Sequence, residues 1–249
     1  MLNLLRKLKR TIIGLIEKKQ RNIKKTWAIS QNYELEHAVI FMKQQTFIDL
    51  LNDMVAGNQK ISNGYVSDLL LREFFSSSLE EWKNFMRFIE GKRCMDIGPC
   101  VFSPLSGWDI ASEKYIIEPL YEKVNEWQLL NFGHSAFENM IIYGQRAEVL
   151  IPELVGYIDG AIYCRNVIDH SPSWPFILSN ISLYAAVGCK LLFWSDLDHK
   201  GTADDGHYDI TSDIKSFKRL IIQFGFKIIR EYQDEQRFGS NWGCFGEKI

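Results

Sequence analysis

From Lys92 onward the chain alternates short apolar runs with stretches of helical spacing, and that order restricts the fold to one class. The runs fall at 92–97, 114–118, 139–143, 159–164, 189–195 and 226–231, with a last one at 242–246. Helical patterns occupy 120–130, 174–187 and 211–224 between them. A helix that returns the chain across the face of a sheet leaves successive strands parallel. The spacing therefore predicts an α/β fold, a mostly parallel seven-stranded sheet with helices on both faces. Ligands of such sheets lie at the carboxyl ends of the strands, where the strand order reverses. The chemistry-bearing motifs all sit at those ends.

The first run closes as Arg93-Cys94-Met95-Asp96-Ile97-Gly98-Pro99-Cys100, an acid and a glycine followed by a turn. The second closes as Tyr115-Ile116-Ile117-Glu118-Pro119-Leu120. A tight turn lets backbone approach a ligand, and an acid at the next strand end accepts from ribose hydroxyls; together they suit a nucleoside. Glu118 could instead be a solvated loop acid. After the third run comes Tyr143-Gly144-Gln145-Arg146-Ala147-Glu148, and after the fourth Cys164-Arg165-Asn166-Val167-Ile168-Asp169-His170-Ser171. After the fifth come Asp196-Leu197-Asp198-His199 and then Asp204-Asp205-Gly206-His207. Other nucleotide chemistries are excluded. There is no GxxxxGK[ST] phosphate loop and no GxSxG elbow, and residues 98–103 hold one glycine where a pyrophosphate cradle needs three.

With these motifs in this order, the chain resembles the class I S-adenosylmethionine-dependent methyltransferases that carry Asp-Ile-Gly-x-Gly-Pro at the first strand. It is similar in particular to a bacterial, type 11-like subgroup with Ser-Pro-Leu after the glycine loop and Asp-Pro-Leu after strand two. That subgroup also shows Asn-x-x-Asp-His after strand four and an Asp-x-x-His … His segment after strand five. The resemblance spans about residues 90–235. It implies a Rossmann-like methyltransferase domain at 90–249 preceded by a helical extension at 1–89, an enzyme, and S-adenosyl-L-methionine as cofactor. It further implies that Asp96, Gly98 and Pro99 turn around the methionine moiety and that Glu118, with Pro119 and Leu120 behind it, accepts from the ribose. Ala147 and Glu148 would lie near the adenine, and Arg165 and Asn166 beneath the sulfonium. The chain departs from the pattern at Cys100 and Val101, where the family has a second glycine and a proline. Cβ atoms there would push the loop away from the cofactor or force a different turn.

For a hydroxyl acceptor, methyl transfer needs alignment and a base for the proton. Histidine suits that role at neutral pH, and His170, His199 and His207 are the catalytic candidates, with His170 first because it lies nearest the floor of the cofactor site. Asp169 and Asp198 each precede a histidine, but neighbouring side chains rarely face each other, so adjacency makes no dyad. No metal site is expected, since the spacing from His199 to His207 matches no ligand pattern. The acceptor expected from the resemblance is a small-molecule or glycan hydroxyl; the alternative is a non-catalytic, methyltransferase-like partner or regulatory subunit.

Charge divides the chain unevenly. Residues 1–25 carry nine basic side chains and one acid, while the remainder has a net charge of −10. The acidic body argues against nucleic acid, whose phosphates need a basic footprint. In the basic segment, Leu4, Leu5, Leu8, Ile12, Leu15, Ile16 and Ile23 recur at helical spacing. That is an amphipathic helix suited either to a membrane surface or to packing on a protein face. Lys18, Lys19 and Arg21 follow its apolar run, which is unlike a secretory signal. Residues 34–90 read as further helices, with Ala38, Phe41, Met42, Phe47, Leu50, Leu51 and Met54 on one apolar face. The five scattered cysteines include no CxxC pair, and Cys94, Cys164 and Cys189 fall in apolar runs, as buried thiols do. Cytoplasmic residence, with peripheral contact at the inner membrane face, is the expected location.

Overall fold

The computed structural model describes residues 28–56, 70–71, 73–171, 173–196, 214–233 and 241–249. The basic segment 1–25 lies outside the described residues, as do Asp198, His199 and His207. Seven strands form one sheet: β1 (Arg93–Ile97), β2 (Glu113–Ile117), β3 (Ile141–Tyr143), β4 (Ala161–Arg165), β5 (Lys190–Asp196), β6 (Phe226–Tyr232) and β7 (Asn241–Lys248). Their order is β3-β2-β1-β4-β5-β7-β6. The pairs β1–β2, β1–β4, β2–β3 and β4–β5 are parallel. β7 runs antiparallel between β5 and β6. All seven expected strands are present, six parallel and one reversed.

Side-chain alternation along the strands builds two cores. Met95, Ile97, Ile162 and Cys164 face one side; Cys94, Ile116, Tyr163 and Leu192 face the other. Helix α1 spans 28–42, followed by α2 (Gln45–Val55), α3 (Leu79–Ile89), α4 (Tyr121–Phe132), α5 (Trp174–Tyr184) and α6 (Ile214–Gln223). Ile177, Leu178, Ile181 and Tyr184 of α5 and Ile221 of α6 cover the first side. Ala38, Met42, Phe47, Leu51, Phe85, Ile89 and Val124, from α1 to α4, cover the second. The crossovers after β1 and β3 contain only 3₁₀ turns, Pro104–Gly107 and Pro152–Leu154. The N-terminal helices pack where a crossover helix would otherwise lie, and they share one core with the sheet.

The local signals are physical. Ser78 caps α3 by accepting from the Glu81 N–H, with Glu80 and Glu81 in the first turn where acids suit the helix dipole. α4 ends at Gly133 in the left-handed conformation. The apolar face of 38–54 is divided between two helices, because Gln44 is extended and starts α2 afresh. Five residues separate Met42 from Phe47, a spacing that no single helix face accommodates. Strand order reverses between β1 and β4, which sets a crevice at their carboxyl ends. No described helix is long and apolar enough to cross a membrane.

Candidate functional site

A cleft of about 260 Å³ opens at that crevice. Gly98 and Pro99 after β1, Glu118, Pro119 and Leu120 after β2, Ala147 and Glu148 after β3, and Arg165, Asn166 and His170 at the end of β4 all line it. Of the residues expected to meet the cofactor, only Asp96 lies elsewhere. It lines an adjoining cleft of about 350 Å³ that shares Gly98, Pro99, Cys100 and Arg165 with the first. His170 is the one candidate base the described residues include, and it faces the first cleft.

The glycine loop is built by three contacts. The Gly98 N–H donates to the Ile117 carbonyl at 2.9 Å, with φ at +70°. Beyond it, Cys100 takes φ +57°, the left-handed conformation that glycine adopts freely and cysteine rarely does. The expected displacement of the loop is resolved in this way: Cys100 keeps the glycine-like turn and aims its N–H at Glu118 Oε2, 2.8 Å away. From α4, buried Gln128 donates to the Val101 carbonyl at 3.0 Å and so ties the loop down.

Glu118 is 3% exposed, so it is not a solvated loop acid. Its Oε1 accepts from the Leu120 N–H at 2.8 Å, and its carbonyl accepts from Tyr121 as α4 begins. The sequence Glu-Pro-Leu thus holds its own carboxylate at the mouth of the sheet. Burial pushes that carboxyl up to about 7 against the pull of the two N–H donors; Glu34 adds to the push and His170 opposes it. Asp96 is 1% exposed and accepts from Ser103 Oγ at 2.6 Å, while its Oδ1 has no hydrogen-bond partner among the described residues. Burial pushes Asp96 up to about 8, with Ser103 pulling down and Glu118 pushing up. Ser103 also accepts from the Leu105 N–H at 3.1 Å, which explains Ser-Pro-Leu as a cap joined to an acid clamp.

At the far end, Asn180 of α5 donates to the Ala147 carbonyl at 2.9 Å. Glu148 accepts from Ser171 and, at 3.0 Å, from Arg146. Asn166 has φ +53°, which asparagine tolerates, and its N–H donates to the Trp194 carbonyl at 2.8 Å. Arg165 does not hang free beneath the cleft. Glu73 grips its guanidinium from 2.8 to 3.1 Å, and Trp194 lies under it with 4.6 Å from Cζ to the ring centre.

Sequence reasoning missed the contribution of α1. Gln31 and Glu34 line the first cleft, and Glu34, His37, Ala38 and Phe41 the second. Glu34 Oε1 lies 2.9 Å from His170 Nδ1, whereas adjacent Asp169 is 3.7 Å from Nε2. Nothing in the helical pattern of 34–54 separates Glu34 from a solvated acid. Glu73 and Gln128 were equally silent.

No family model and no curated protein matches the sequence. Solved structures do match. A candidate methyltransferase from Bacillus halodurans C-125 has TM-score 0.51 at 12% identity, over 69% of this chain and 99% of that one. The N-methyltransferase NodS from Bradyrhizobium japonicum WM9, in complex with S-adenosyl-L-homocysteine, has TM-score 0.49 at 10% identity, over 68% and 86%. Magnesium protoporphyrin IX methyltransferase from Synechocystis PCC 6803, with S-adenosylmethionine bound, has TM-score 0.48 at 15% identity, over 80% and 83%. With the strand order β3-β2-β1-β4-β5-β7-β6 and a crevice at the carboxyl ends of β1 and β4, the chain has the fold of the class I S-adenosylmethionine-dependent methyltransferases.

Proposed function

We propose that the chain is an S-adenosylmethionine-dependent methyltransferase that methylates a hydroxyl on a small molecule or glycan. The observation that carries this reading is the convergence of Gly98, Glu118, Ala147, Asn166 and His170 on one cleft at the strand-order reversal. The residues fit the cofactor. Glu118 offers a buried carboxylate to a ribose diol, Ile117, Leu120, Ala147 and Ile177 offer apolar surface to a base, and the unpaired Asp96 Oδ1 awaits a donor. S-adenosylmethionine would supply there a methyl group on a sulfonium, which leaves as a neutral thioether. Gly98 and Cys100 shape the turn around it, Asn166 and His170 flank the acceptor side, and His170 takes the hydroxyl proton as the new bond forms.

The acidic body of residues 26–249 disfavours nucleic acid as acceptor. The basic segment 1–25 would suit work on a glycan at the inner face of a membrane, with the chain cytoplasmic and peripheral. A second reading, a non-catalytic partner protein, is motivated by Cys100, whose N–H occupies one oxygen of the carboxylate that ribose would need. Titration calorimetry with S-adenosylmethionine and S-adenosylhomocysteine tests the proposal. No heat from either at millimolar concentration refutes it. The two readings separate on Glu118→Ala, which abolishes cellular function if the chain is an enzyme and spares it if the chain is a partner subunit.

A further inference from the structure

We infer that the second cleft seats the methyl acceptor and that the acceptor is a small phenol-type compound, its ring against Phe41 and Phe102 and its hydroxyl at the junction with the first cleft. The inference rests on the methyltransferase reading and chooses within it, an apolar ring rather than a glycan. Its ground is the lining of the cleft. Phe41 of α1 and Phe102 of the glycine loop are half-buried, while Ala38, Leu50, Val101 and Tyr163 are buried around them. Two aromatic rings thus keep part of their surface open inside an apolar hollow. At about 350 Å³ that hollow is near the lower end of the roughly 300–1,000 Å³ that small-molecule pockets occupy. It suits a compact ring system and not an oligosaccharide.

The polar side chains of this cleft are few and already directed elsewhere. Glu73 grips the Arg165 guanidinium from 2.8 to 3.1 Å. Exposed His37 stands at the rim, with Nδ1 3.0 Å from the Tyr33 carbonyl of its own helix. Asp96 is buried, accepts from Ser103 and belongs to the cofactor. A sugar brings several hydroxyls, and against such walls most would lose their water without replacement. A phenol brings one. Its ring gains edge-to-face or offset contacts with aromatic side chains. Its hydroxyl titrates at about 10, as in tyrosine, far closer to neutrality than an alkyl alcohol. That hydroxyl falls to the junction, where Glu34 and Arg165 border both clefts. There the phenolic oxygen supplies the electron pair of the new bond to methyl, the carbon–sulfur pair stays on sulfur, and the proton passes to His170, the proposed base.

The fold makes the space. The crossover after β1 holds only the 3₁₀ turn Pro104–Gly107, so α1 and α2 face the glycine loop in place of a crossover helix. Val101 and Phe102 of the loop and Tyr163 of β4 form one wall; Ala38 and Phe41 of α1 and Leu50 of α2 form the other. Buried Gln128 fixes both, donating to the Val101 carbonyl at 3.0 Å and reaching Met42 Sδ of α1 at 3.5 Å. Phe41 packs edge-on against Phe47 at 5.8 Å, and Tyr163 against Phe74 at 6.0 Å. The aromatic walls stand before a ligand arrives, which leaves little ordering for binding to offset.

The test uses the full chain with S-adenosylhomocysteine present and two probes, 2-naphthol and methyl glucoside, titrated by ligand-observed NMR. 2-Naphthol should bind and methyl glucoside should not. Phe41→Ala should weaken 2-naphthol by about 5-fold or more, and Ala38→Leu, which fills the cleft from the same helix, should weaken it too. The affinity for S-adenosylhomocysteine, read by calorimetry, should be unchanged in both variants. Binding of methyl glucoside in place of 2-naphthol, or of neither probe, overturns the inference. So does 2-naphthol binding that neither variant weakens. A loss of S-adenosylhomocysteine affinity in a variant that keeps the parent's melting temperature also overturns it, since the second cleft would then hold the cofactor. One arm needs no variant: with labelled phenylalanine, bound 2-naphthol should show Overhauser contacts to the Phe41 and Phe102 rings, and their absence places the ring elsewhere and ends the inference. A chain that binds 2-naphthol in this way but neither binds S-adenosylhomocysteine nor transfers methyl keeps the ring site and defeats the enzyme reading instead. Methyl transfer to a glycan without 2-naphthol binding removes the inference and leaves the enzyme.

Discussion

At the scale of single residues, the site is held by backbone conformations that side chains disfavour. Gly98 combines a φ of +70° with a close approach, since a Cβ there would stand 2.6 Å from Val167 Cγ2. Gly98→Ala should therefore cost roughly 2–4 kcal/mol, part from the left-handed backbone and part from overpacking. Adding Val167→Ala should recover only the packing part, and urea denaturation of the single and double variants measures the split. A full recovery would mean the backbone bears no strain there. Cys100 occupies the same region of conformational space without the excuse of lacking a side chain, and its N–H on Glu118 is what the turn gains in return. His170, the proposed base, makes the functional counterpart. His170→Ala should lower turnover by roughly 10²–10⁴-fold with little change in cofactor affinity. Retained turnover would leave alignment alone to carry the transfer.

At the scale of elements, one of the ion pairs that join the N-terminal segment to the sheet has an unusual placement. Glu73 is 7% exposed and binds Arg165 through two oxygens, beside the switch point between β1 and β4. Glu73→Ala strands a guanidinium at the floor of both clefts and should cost roughly 2–4 kcal/mol. Removing Glu80, paired with Arg87 on the exposed side of α3, should cost at most about 0.5 kcal/mol. Thermal denaturation of the two variants compares them; equal losses would mean the buried pair does not hold the helices in place. The contrast also marks what sequence can disclose. Apolar alternation is a local property, so the seven strands, α4 to α6 and the strand-end motifs could be placed from it. The clustering of Gly98, Glu118, Ala147 and Asn166 followed from strand order alone, because carboxyl ends of parallel strands share an edge. Glu34, Glu73 and Gln128 act across 136, 92 and 27 residues of chain respectively, on His170, Arg165 and Val101. No periodicity encodes such a partner.

At the scale of the whole molecule, the cleft imposes a pH dependence on stability. Asp96 and Glu118 are buried carboxyls raised to about 8 and about 7, from ordinary values of 3.8 and 4.5. Around pH 6 the unfolded chain ionises both groups while the folded chain keeps them protonated. The folded state thus binds more protons, and stability falls as pH rises. The contribution is fully present below about 4 and is lost as pH climbs through 7 and 8. Asp159 and Glu81 are shifted the opposite way, down, by Arg93 and Arg230, so their effect falls below their ordinary range near 4 and leaves this window clear. The melting temperature of the free chain should therefore decline from pH 5 to pH 8. Glu118 alone accounts for on the order of 3 kcal/mol of that trend. Replacing both groups by neutral isosteres, Asp96→Asn with Glu118→Gln, should flatten the profile and leave the double variant more stable than the parent at pH 8. A parent profile that is already flat would mean water reaches these carboxyls. The same linkage links folding to ligand. Ribose hydroxyls donate more strongly, and to both oxygens, when the group is a carboxylate rather than a carboxylic acid, so binding draws Glu118 toward its ionised form and expels a proton. Affinity for S-adenosylhomocysteine should rise between pH 6 and 8, and calorimetry in buffers of different ionisation enthalpy should register close to one proton released at pH 6. The acid that destabilises the empty protein above neutrality is then the one that the nucleoside makes stable.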